Sequence, residues 1–531
     1  MAIKVAVNGR TAEAVQKNIE QLVSDKVASR IFEKDFTLWG QEAESESSIR
    51  LGWVNSAEDS QALIEGILAL KSEFNAKGVT RFVLCGMGGS SLAPEVITQT
   101  AGVELVVLDS TNPEQVGHAL AGDLHKTAVV VSSKSGSTVE TDSQKRLFEK
   151  AFTDAGIDKK DRIVIVTDPG SPMEAAAKAD GYRVFNADPK VGGRYSALTA
   201  FGLVPSGLAG ADIQKLLNDA LAAAELLKVD SVSNAGLVLG AVLARTASNG
   251  GYADKIGLFD DGTDIKGFGD WAEQLIAEST GKLGKGVLPV VLHAGAPELA
   301  ERPSDLVIAR IVKDASSALS DEVSVSGSLG AQFLLWEVAT VVASRLIGIN
   351  PFDQPDVESA KIAARGMLEN RAAELPAAFI DRNVEVRAKG LELEEADTVE
   401  EAIKSLLEQV KGDSYVSIHA YLDRVDHPEF ASLREAFARA SGRPTTFGWA
   451  PRFLHSTGQY HKGGPAQGIY LQLVSRAVND IQVPGRDFTL GQLIASQAAG
   501  DAEVLAQHDR PVLTLTLTDV KAALTQISAS I

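Results

Sequence analysis

The sequence predicts an α/β fold in which parallel sheets are flanked by helices. Short apolar segments alternate with longer helical patterns along most of the chain, as they do in repeated βαβ units. Two of the apolar segments, at residues 81–85 and 127–131, run directly into loops rich in glycine and serine. Ligands of parallel sheets bind beyond the carboxyl ends of the strands, so these two loops mark the expected binding edge.

The first half of the chain shows the clearest alternation. Residues 12–34 have a polar helical pattern, and residues 61–77 have an amphipathic one. The sequence then predicts five strands, separated by helices, at residues 81–85, 104–108, 127–131, 162–166 and 182–185. This series predicts one parallel sheet that carries both loops.

Two further series follow along the chain. From residue 211 the sequence predicts helices rich in Ala and Leu, a long helix at residues 328–346, and strands at residues 255–259, 287–292 and 305–311. After an acidic segment at residues 391–398 it predicts a helix at residues 428–440 and strands at residues 415–420, 468–474 and 511–517. We therefore predict a helical N-terminal segment, two α/β domains and a C-terminal α/β segment, at residues 1–55, 56–205, 206–390 and 391–531.

The composition is that of a soluble globular protein and argues against several classes of function. The chain has 51 Lys and Arg residues against 70 Asp and Glu residues, a net charge of −19, which disfavours nucleic acid and anionic lipid as partners. A single cysteine, Cys85, excludes a disulfide framework and a multi-thiolate metal site. The longest apolar run, at residues 333–349, is interrupted by Glu337 and Arg345, and the N-terminal residues show no signal-peptide pattern. We expect a cytoplasmic protein without a membrane span.

The first Gly/Ser loop reads Gly-Met-Gly-Gly-Ser-Ser at residues 86–91. Glycines let the backbone approach an anion closely, and the N-terminus of the following helix favours a phosphate group. The spacing fits neither the dinucleotide-binding fingerprint nor the P-loop. Gly89 and Ser90 are therefore candidate phosphate ligands, and a tight turn without a ligand is the alternative.

The second loop reads Ser-Ser-Lys-Ser-Gly-Ser-Thr at residues 132–138. Five hydroxyl groups and one ammonium group within seven residues form a dense set of phosphate donors. The candidates are Ser133, Lys134, Ser135 and Thr138. A solvated loop with a helix cap is the alternative, but two such loops on one sheet favour a phosphate site.

Other motifs carry groups suited to proton transfer or charge stabilisation. Glu278 and Glu140 are candidate carboxylates, although a surface position is the commoner explanation for a single glutamate. Arg194 follows two adjacent glycines, which would let its guanidinium lie against a small anion, and a structural arginine beside a turn is the alternative. His455 and His461 lie in a glycine-rich loop and suit acid–base chemistry, unless they are only solvated.

Taken in order, these motifs resemble those of the glucose-6-phosphate isomerase family. The matching segments are Gly-Met-Gly-Gly-Ser at 86–90, Ser-Lys-Ser at 133–135, Ser-Thr-Val-Glu-Thr at 137–141, Gly-Gly-Arg-Tyr-Ser at 192–196, Glu-Ser-Thr-Gly-Lys at 278–282, and Asn-Pro-Phe-Asp-Gln-Pro-Asp-Val-Glu at 350–358 followed by Lys361. They cover roughly residues 60–365. The resemblance implies two sugar-isomerase domains with parallel sheets, a sugar phosphate substrate, a homodimer, and neither metal nor cofactor.

One segment departs from the order that the family shows. Leu-His-Ser-Thr-Gly-Gln-Tyr at residues 454–460 comes after Lys361, whereas the family has this segment between the glutamate and the lysine. The order here resembles the isomerase part of transaldolase–isomerase fusion chains. We expect residues 454–464 to fold back over Glu278 and Lys361, so that the C-terminal segment completes the site.

The resemblance also implies a reaction and a role for each residue. The reaction is the reversible, metal-independent isomerisation of glucose 6-phosphate to fructose 6-phosphate in glycolysis and gluconeogenesis. Glu278 would move the proton between C1 and C2, and Arg194 would stabilise the ene-diolate. His455 and Lys361 would open the sugar ring. Substrate would be bound by Gly89, Ser90, Ser133, Lys134, Ser135, Thr138, Glu140, Gln274 and Gln354.

Several alternatives stay open from the sequence. The enzyme would also accept mannose 6-phosphate if its pocket did not select at C2, and the motifs do not identify the groups that decide this. A non-catalytic sugar-phosphate sensor would need the phosphate loops but not Glu278, Arg194 and Lys361 together. His461 competes with His455 for ring opening. The sequence determines neither the oligomeric state nor whether residues 391–531 form an independent domain.

Overall fold

Three β-sheets, connected and covered by helices, organise the chain. The computed structural model describes residues 3–245, 253–369, 376–393 and 395–531. In the helix Val357–Glu369 it describes the backbone throughout, but not the side chains of residues 357–361 and 369. Most neighbouring strands are parallel and each sheet is flanked by helices. The predicted α/β fold class is therefore confirmed.

The first sheet lies where the sequence predicts it, and its neighbouring strands are all parallel. Across the sheet the order is Val106–Leu108, Arg81–Gly86, Thr127–Ser132, Ile163–Thr167 and Arg183–Asn186. The two strands that precede the Gly/Ser loops are direct neighbours, and Gly86 pairs with Ser132 at their carboxyl ends. Both loops consequently leave the same edge of the sheet side by side.

The second sheet combines parallel strands with one antiparallel edge strand. Its order is Lys4–Val7, Val323–Ser326, Leu306–Ile311, Lys255–Asp260 and Leu288–Leu292. Lys4–Val7 pairs antiparallel with Val323–Ser326. Neither strand is predicted from the sequence, because four residues are too few to establish an alternating pattern. The N-terminal segment is therefore helical except for this strand.

The predicted long helix is the central helix of the second unit. It spans Leu329–Ile347, and its length and composition alone would allow it to cross a membrane. In the structure, 89% of its most apolar 18-residue stretch is buried. The helix packs against the helices Ile213–Leu227 and Ala235–Leu243. It is accordingly a core helix, and it is the one described helix that meets both criteria.

The third sheet contains six strands from the last third of the chain. Its order is Phe379–Asp381, Val384–Lys389, Val512–Leu517, Gly468–Ser475, Tyr415–Tyr421 and Thr445–Trp449. The first two strands form an antiparallel hairpin, which joins the parallel part through Val512–Leu517. The hairpin and Thr445–Trp449 are not predicted from the sequence. Because the hairpin belongs to this sheet, we propose that the C-terminal unit begins before Phe379 rather than at residue 391.

Helices make up most of the remaining regular structure. Local signals fix several of their starts: Asn112 caps the helix Pro113–Leu120 by accepting a hydrogen bond of 3.0 Å from the Gln115 amide. The other described helices are Gly9–Ser24, Val27–Phe32, Glu44–Arg50, Ser56–Asp59, Ile64–Ala76, Leu92–Ala101, Val139–Asp154, Pro172–Asp180, Ala200–Ala209, Phe268–Thr280, Pro297–Glu301, Val357–Glu369, Val399–Leu407, Leu433–Ser441, Gly458–Gly463, Leu490–Gln507 and Val520–Ala529.

Candidate active site

The two Gly/Ser loops form one wall of the candidate site. Gly88–Ser90 forms a tight helical turn before the helix Leu92–Ala101, and the side chain of Ser90 is buried. In the second loop the hydroxyl oxygens of Ser133 and Thr138 are 3.1 Å apart, and the amide of Gly136 donates to Ser133 Oγ. The second helix, Val139–Asp154, starts directly after Thr138. Two helix N-termini therefore lie behind the loops at one sheet edge.

Two further donors of the second loop are engaged within the protein. The hydroxyl oxygens of Ser135 and Ser137 are 3.0 Å apart at an exposed position. Lys134 donates from Nζ to Asp168, and burial raises the pKa of this carboxyl above its usual value although Lys134 opposes the shift. The ammonium charge of Lys134 thus has a carboxylate partner rather than facing the loop alone.

The histidine loop lies against the first Gly/Ser loop. His455 ends a short helical turn, and its carbonyl oxygen accepts a hydrogen bond of 2.8 Å from Gln274 Nε2. A Cβ atom at Gly88 would lie 2.5 Å from the same carbonyl oxygen, and φ of Gly88 is +56°. Only glycine permits this approach. The segment that is displaced in sequence is therefore close to the phosphate-loop candidate in space.

His455 is oriented by a carboxylate from the first turn of the helix that follows the second Gly/Ser loop. Its Nε2 lies 2.8 Å from Glu140 Oε1, and the Glu140 side chain is buried. Gln497 Nε2 donates to the same oxygen at 2.7 Å, and Thr111 donates to Gln497 Oε1 at 2.9 Å. Sequence reasoning missed Gln497 and Thr111, since neither belongs to a motif. The result is a chain of hydrogen bonds that fixes one nitrogen of the imidazole.

Arg194 and Glu278 meet in the interior of the site. The Arg194 side chain is 1% exposed, and its Nη1 lies 3.7 Å from Glu278 Oε2. Its Nε donates to Ser279 Oγ at 2.8 Å, and its Nη2 donates to the carbonyl oxygen of Pro351. A buried guanidinium beside a buried carboxylate interacts much more strongly than the same pair in water. Both charged groups are held by fixed partners.

Gln274 shares a helix face with Glu278. The two residues are four positions apart on the helix Phe268–Thr280, and Gln274 Nε2 lies 3.4 Å from Glu278 Oε2. The Nε2 atom also donates to His455, whereas Oε1 accepts no hydrogen bond from the residues that the structure describes. Gln274 therefore links the histidine loop to Glu278 and keeps an acceptor for a hydroxyl group.

Lys282 holds the loop that precedes Lys361. Its Nζ donates to the carbonyl oxygens of Asn350 and Asp353 and to Asp353 Oδ1, at 2.7, 2.8 and 2.6 Å. Burial and the nearby charge of Arg194 lower the pKa of Lys282 to about 8, against the opposing effect of Asp353. Sequence reasoning gave Lys282 no role, although it ends the Glu-Ser-Thr-Gly-Lys motif. Arg194 and Lys282 together fix this loop.

The remaining predicted residues are Gln354 and Lys361. Gln354 is exposed. Lys361 lies on the helix Val357–Glu369, which packs against Leu490–Gln507, but its side chain lies outside the described residues. Gln459 connects the histidine loop to this region, because its Nε2 donates to the carbonyl oxygen of Gly281 and to Asp356 Oδ2, at 2.8 and 2.6 Å.

His461 occupies a different environment from His455. It is buried among aromatic side chains, and its ring stacks on that of His419 with centroids 4.9 Å apart. Neither ring nitrogen has a hydrogen-bond partner within the described part of the chain. Burial lowers the pKa of His461 well below its ordinary value. His461 is therefore a neutral core residue, and His455 is the histidine that reaches Glu140.

Comparison with known proteins identifies relatives of the chain. Residues 60–287 match the family model described as phosphoglucose isomerase. A probable glucose-6-phosphate isomerase of Natronomonas pharaonis is 30% identical over 387 residues, which cover 63% of this chain and 89% of that protein. A glucose-6-phosphate isomerase of Thermus thermophilus is 39% identical over 181 residues, 33% of this chain and 43% of that protein.

Solved structures share the fold. A hypothetical protein from Thermus thermophilus matches 68% of this chain and 99% of its own, with a TM-score of 0.60 at 24% identity. A glucose-6-phosphate isomerase from Chlamydia trachomatis matches 69% of this chain and 87% of its own, with a TM-score of 0.54 at 19% identity. At these identities the likeness concerns the fold.

Proposed function

The chain belongs to the phosphoglucose isomerase family, and we propose that it interconverts glucose 6-phosphate and fructose 6-phosphate by ring opening and ene-diol proton transfer. It is accordingly an aldose–ketose isomerase. The observation that carries the proposal is the convergence of Glu278, Arg194 and the Glu140–His455 pair beside the two Gly/Ser loops. Each step of such a reaction has a group available at this place.

Glu278 is the proposed base for the proton that moves between C1 and C2. Its side chain is largely buried, and Arg194 Nη1 at 3.7 Å keeps a positive charge beside it. Removing the proton produces a negative ene-diolate oxygen, and a fixed guanidinium stabilises that charge without reorganisation. Ser279 and the loop around Pro351 hold Arg194 in its position.

His455 is the proposed group for opening the sugar ring. With Nε2 directed at Glu140, the Nδ1 nitrogen carries the lone pair of the neutral imidazole. It can then accept the proton of the anomeric hydroxyl and return a proton to the ring oxygen, while the carboxylate stabilises the charged ring. The family resemblance supports Lys361 as the second proton-transfer group.

The phosphate group is proposed to lie between the two Gly/Ser loops. Hydroxyl groups of Ser90, Ser133, Ser135 and Thr138, with the backbone at Gly89, supply neutral donors there. The helices Leu92–Ala101 and Val139–Asp154 direct their N-termini to the same edge. Such donors act locally, which reconciles an anionic substrate with a chain of net charge −19.

Replacing Thr138 with valine tests this phosphate position. Loss of one hydrogen bond to a charged group costs about 1.5–3 kcal/mol, so KM should rise by about 10–150-fold. The change in kcat should be small, because Thr138 is not assigned to proton transfer. The measurement is steady-state kinetics with fructose 6-phosphate. Thr153→Val, an exposed position on the helix Val139–Asp154, is the matched control. A large fall in kcat at constant KM would contradict the assignment.

The reaction itself is tested by a coupled assay on the purified chain. Fructose 6-phosphate should yield glucose 6-phosphate, with no loss of rate after dialysis against a chelator. Mannose 6-phosphate in a parallel assay measures selectivity at C2. Absence of product would overturn the proposed reaction, and restoration of activity by added metal would overturn metal independence.

The cellular setting is part of the same proposal. We propose a role in glycolysis and gluconeogenesis, a cytoplasmic location and a homodimer, all of which rest on the family resemblance. Sedimentation of the purified chain measures the last of these.

A further inference from the structure

A cluster of three side chains that could bind a metal ion lies outside the set of residues assigned to the active site. His118 belongs to the helix Pro113–Leu120, beside the first sheet, whereas Asp423 and Asp426 follow the strand Tyr415–Tyr421 of the third sheet. One ligand atom from each residue lies within 4.8 Å of the other two. The proposed reaction uses none of these residues.

Asp423 is the feature that distinguishes this cluster from ordinary surface acids. Its side chain is 4% exposed. Oδ1 accepts hydrogen bonds from the amides of Val425 and Asp426, at 2.8 and 3.2 Å. Oδ2 accepts none from the residues that the structure describes, and it lies 3.6 Å from His118 Nδ1. A buried carboxylate oxygen without a hydrogen-bond partner is costly, and a bound cation would offset that cost.

The distances within the cluster are too long for direct hydrogen bonds. Both contacts of the imidazole, 3.6 Å from Nδ1 to Asp423 and 3.7 Å from Nε2 to Asp426, exceed the length of a normal hydrogen bond. The two contacts come from different nitrogens of one ring, and a single ion would bind only one of them. One ligand atom from each of the three residues lies within 4.8 Å of the other two, compared with about 3.4 Å between neighbouring ligand atoms in a tetrahedral zinc site with bonds of about 2.0–2.1 Å. His118 and Asp426 are about half exposed, so water can complete the coordination.

We propose that His118, Asp423 and Asp426 bind a divalent transition-metal ion such as Zn²⁺. An imidazole nitrogen with two carboxylates favours such an ion over Mg²⁺ or Ca²⁺, which prefer oxygen ligands alone. Arg424, the neighbouring positive charge, does not neutralise the two aspartates of the cluster. Its guanidinium donates to Glu95 at 2.9 Å and lies 3.6 Å from Asp109. The ion connects a helix beside the first sheet to a turn of the third sheet. Its role is structural.

Equilibrium dialysis of the metal-free full-length chain against ZnCl₂ tests the proposal. The wild-type chain should bind one equivalent of zinc at micromolar concentration, in the presence of millimolar Mg²⁺. His118→Ala and Asp423→Asn should lose at least 10-fold in affinity, and Asn at position 423 keeps an acceptor for the two backbone amides. His125→Ala, which removes an exposed histidine from the same domain, should bind as the wild type does.

A second measurement separates this site from the active site. Zinc should raise the Tm of the wild-type chain and leave that of His118→Ala unchanged, because a ligand that binds only the folded state stabilises it. The isomerase activity of His118→Ala should stay within twofold of wild type. Failure of the wild-type chain to bind zinc, or equal binding by His118→Ala, would show that the cluster is only a histidine–carboxylate ion pair and would overturn the proposal. Neither result would affect the proposed reaction.

Discussion

Replacing Glu278 with glutamine is expected to lower kcat by about 10²–10⁴-fold, the usual contribution of a general base. Glutamine has nearly the same shape and can still contact Gln274 and Arg194, but it cannot accept the substrate proton. KM should change much less, because the proposed phosphate donors lie on other elements. The measurement is kcat in the coupled assay, together with exchange of the C2 hydrogen of glucose 6-phosphate in D₂O.

A control on the same helix separates the loss of the base from the general effect of the substitution. Glu273 is five positions earlier, about 140° around the helix from Glu278. Glu273→Gln makes the same chemical change away from the proposed proton path and should keep kcat within a few-fold. If Glu278→Gln exchanged the C2 hydrogen at close to the wild-type rate, another group would be the base.

Replacing His455 with alanine is expected to reduce kcat on cyclic glucose 6-phosphate by about 10²–10⁴-fold, since an acid–base group for ring opening is removed. An aldose phosphate too short to close a ring needs no such step and should lose far less. The ratio of the two activities is the measured quantity. A general defect of folding would lower both activities and leave the ratio unchanged.

The second loop histidine provides the comparison for this experiment. His461 is buried in the aromatic core against His419, so His461→Ala should lower the Tm and leave the ratio of activities as it is in wild type. Equal losses on both substrates in His455→Ala would exclude ring opening as its role. A changed ratio in His461→Ala instead would transfer that role to His461.

Much of the fold could be predicted because its strands have a strong local pattern. The segments that become Arg81–Gly86 and Thr127–Ser132 are apolar, buried and followed by turn residues, so the sequence alone locates them. Lys4–Val7 and the hairpin Phe379–Lys389 could not be found this way. Each is short, and each is defined by pairing with a strand far away in the sequence, Val323–Ser326 or Val512–Leu517.

The residues of the candidate site also divide into those that have a local sequence signal and those that have none. Arg194, Glu278 and His455 stand in motifs whose residue types indicate chemistry, and the structure brings them to one region. Gln497 is a helical glutamine without any local signal, and its partner Glu140 lies 357 positions earlier. Lys134 looks like a phosphate ligand in its loop, but Asp168, just beyond the carboxyl end of the neighbouring strand, pairs with it. Such partners are brought together by the folded structure, so the sequence around each residue does not reveal them.

The hydrogen bond between Glu140 and Gln497 also sets an order of events during synthesis of the chain, because it joins an early residue to a late one. The ribosome makes Glu140 early, but 357 further residues must be added before Gln497 exists. At about 5–20 residues per second, that interval is roughly 20–70 s. During this time the first sheet can fold with both Gly/Ser loops complete, whereas His455 and its support are still missing. A nascent chain can therefore acquire the proposed phosphate site well before it acquires the proposed group for ring opening.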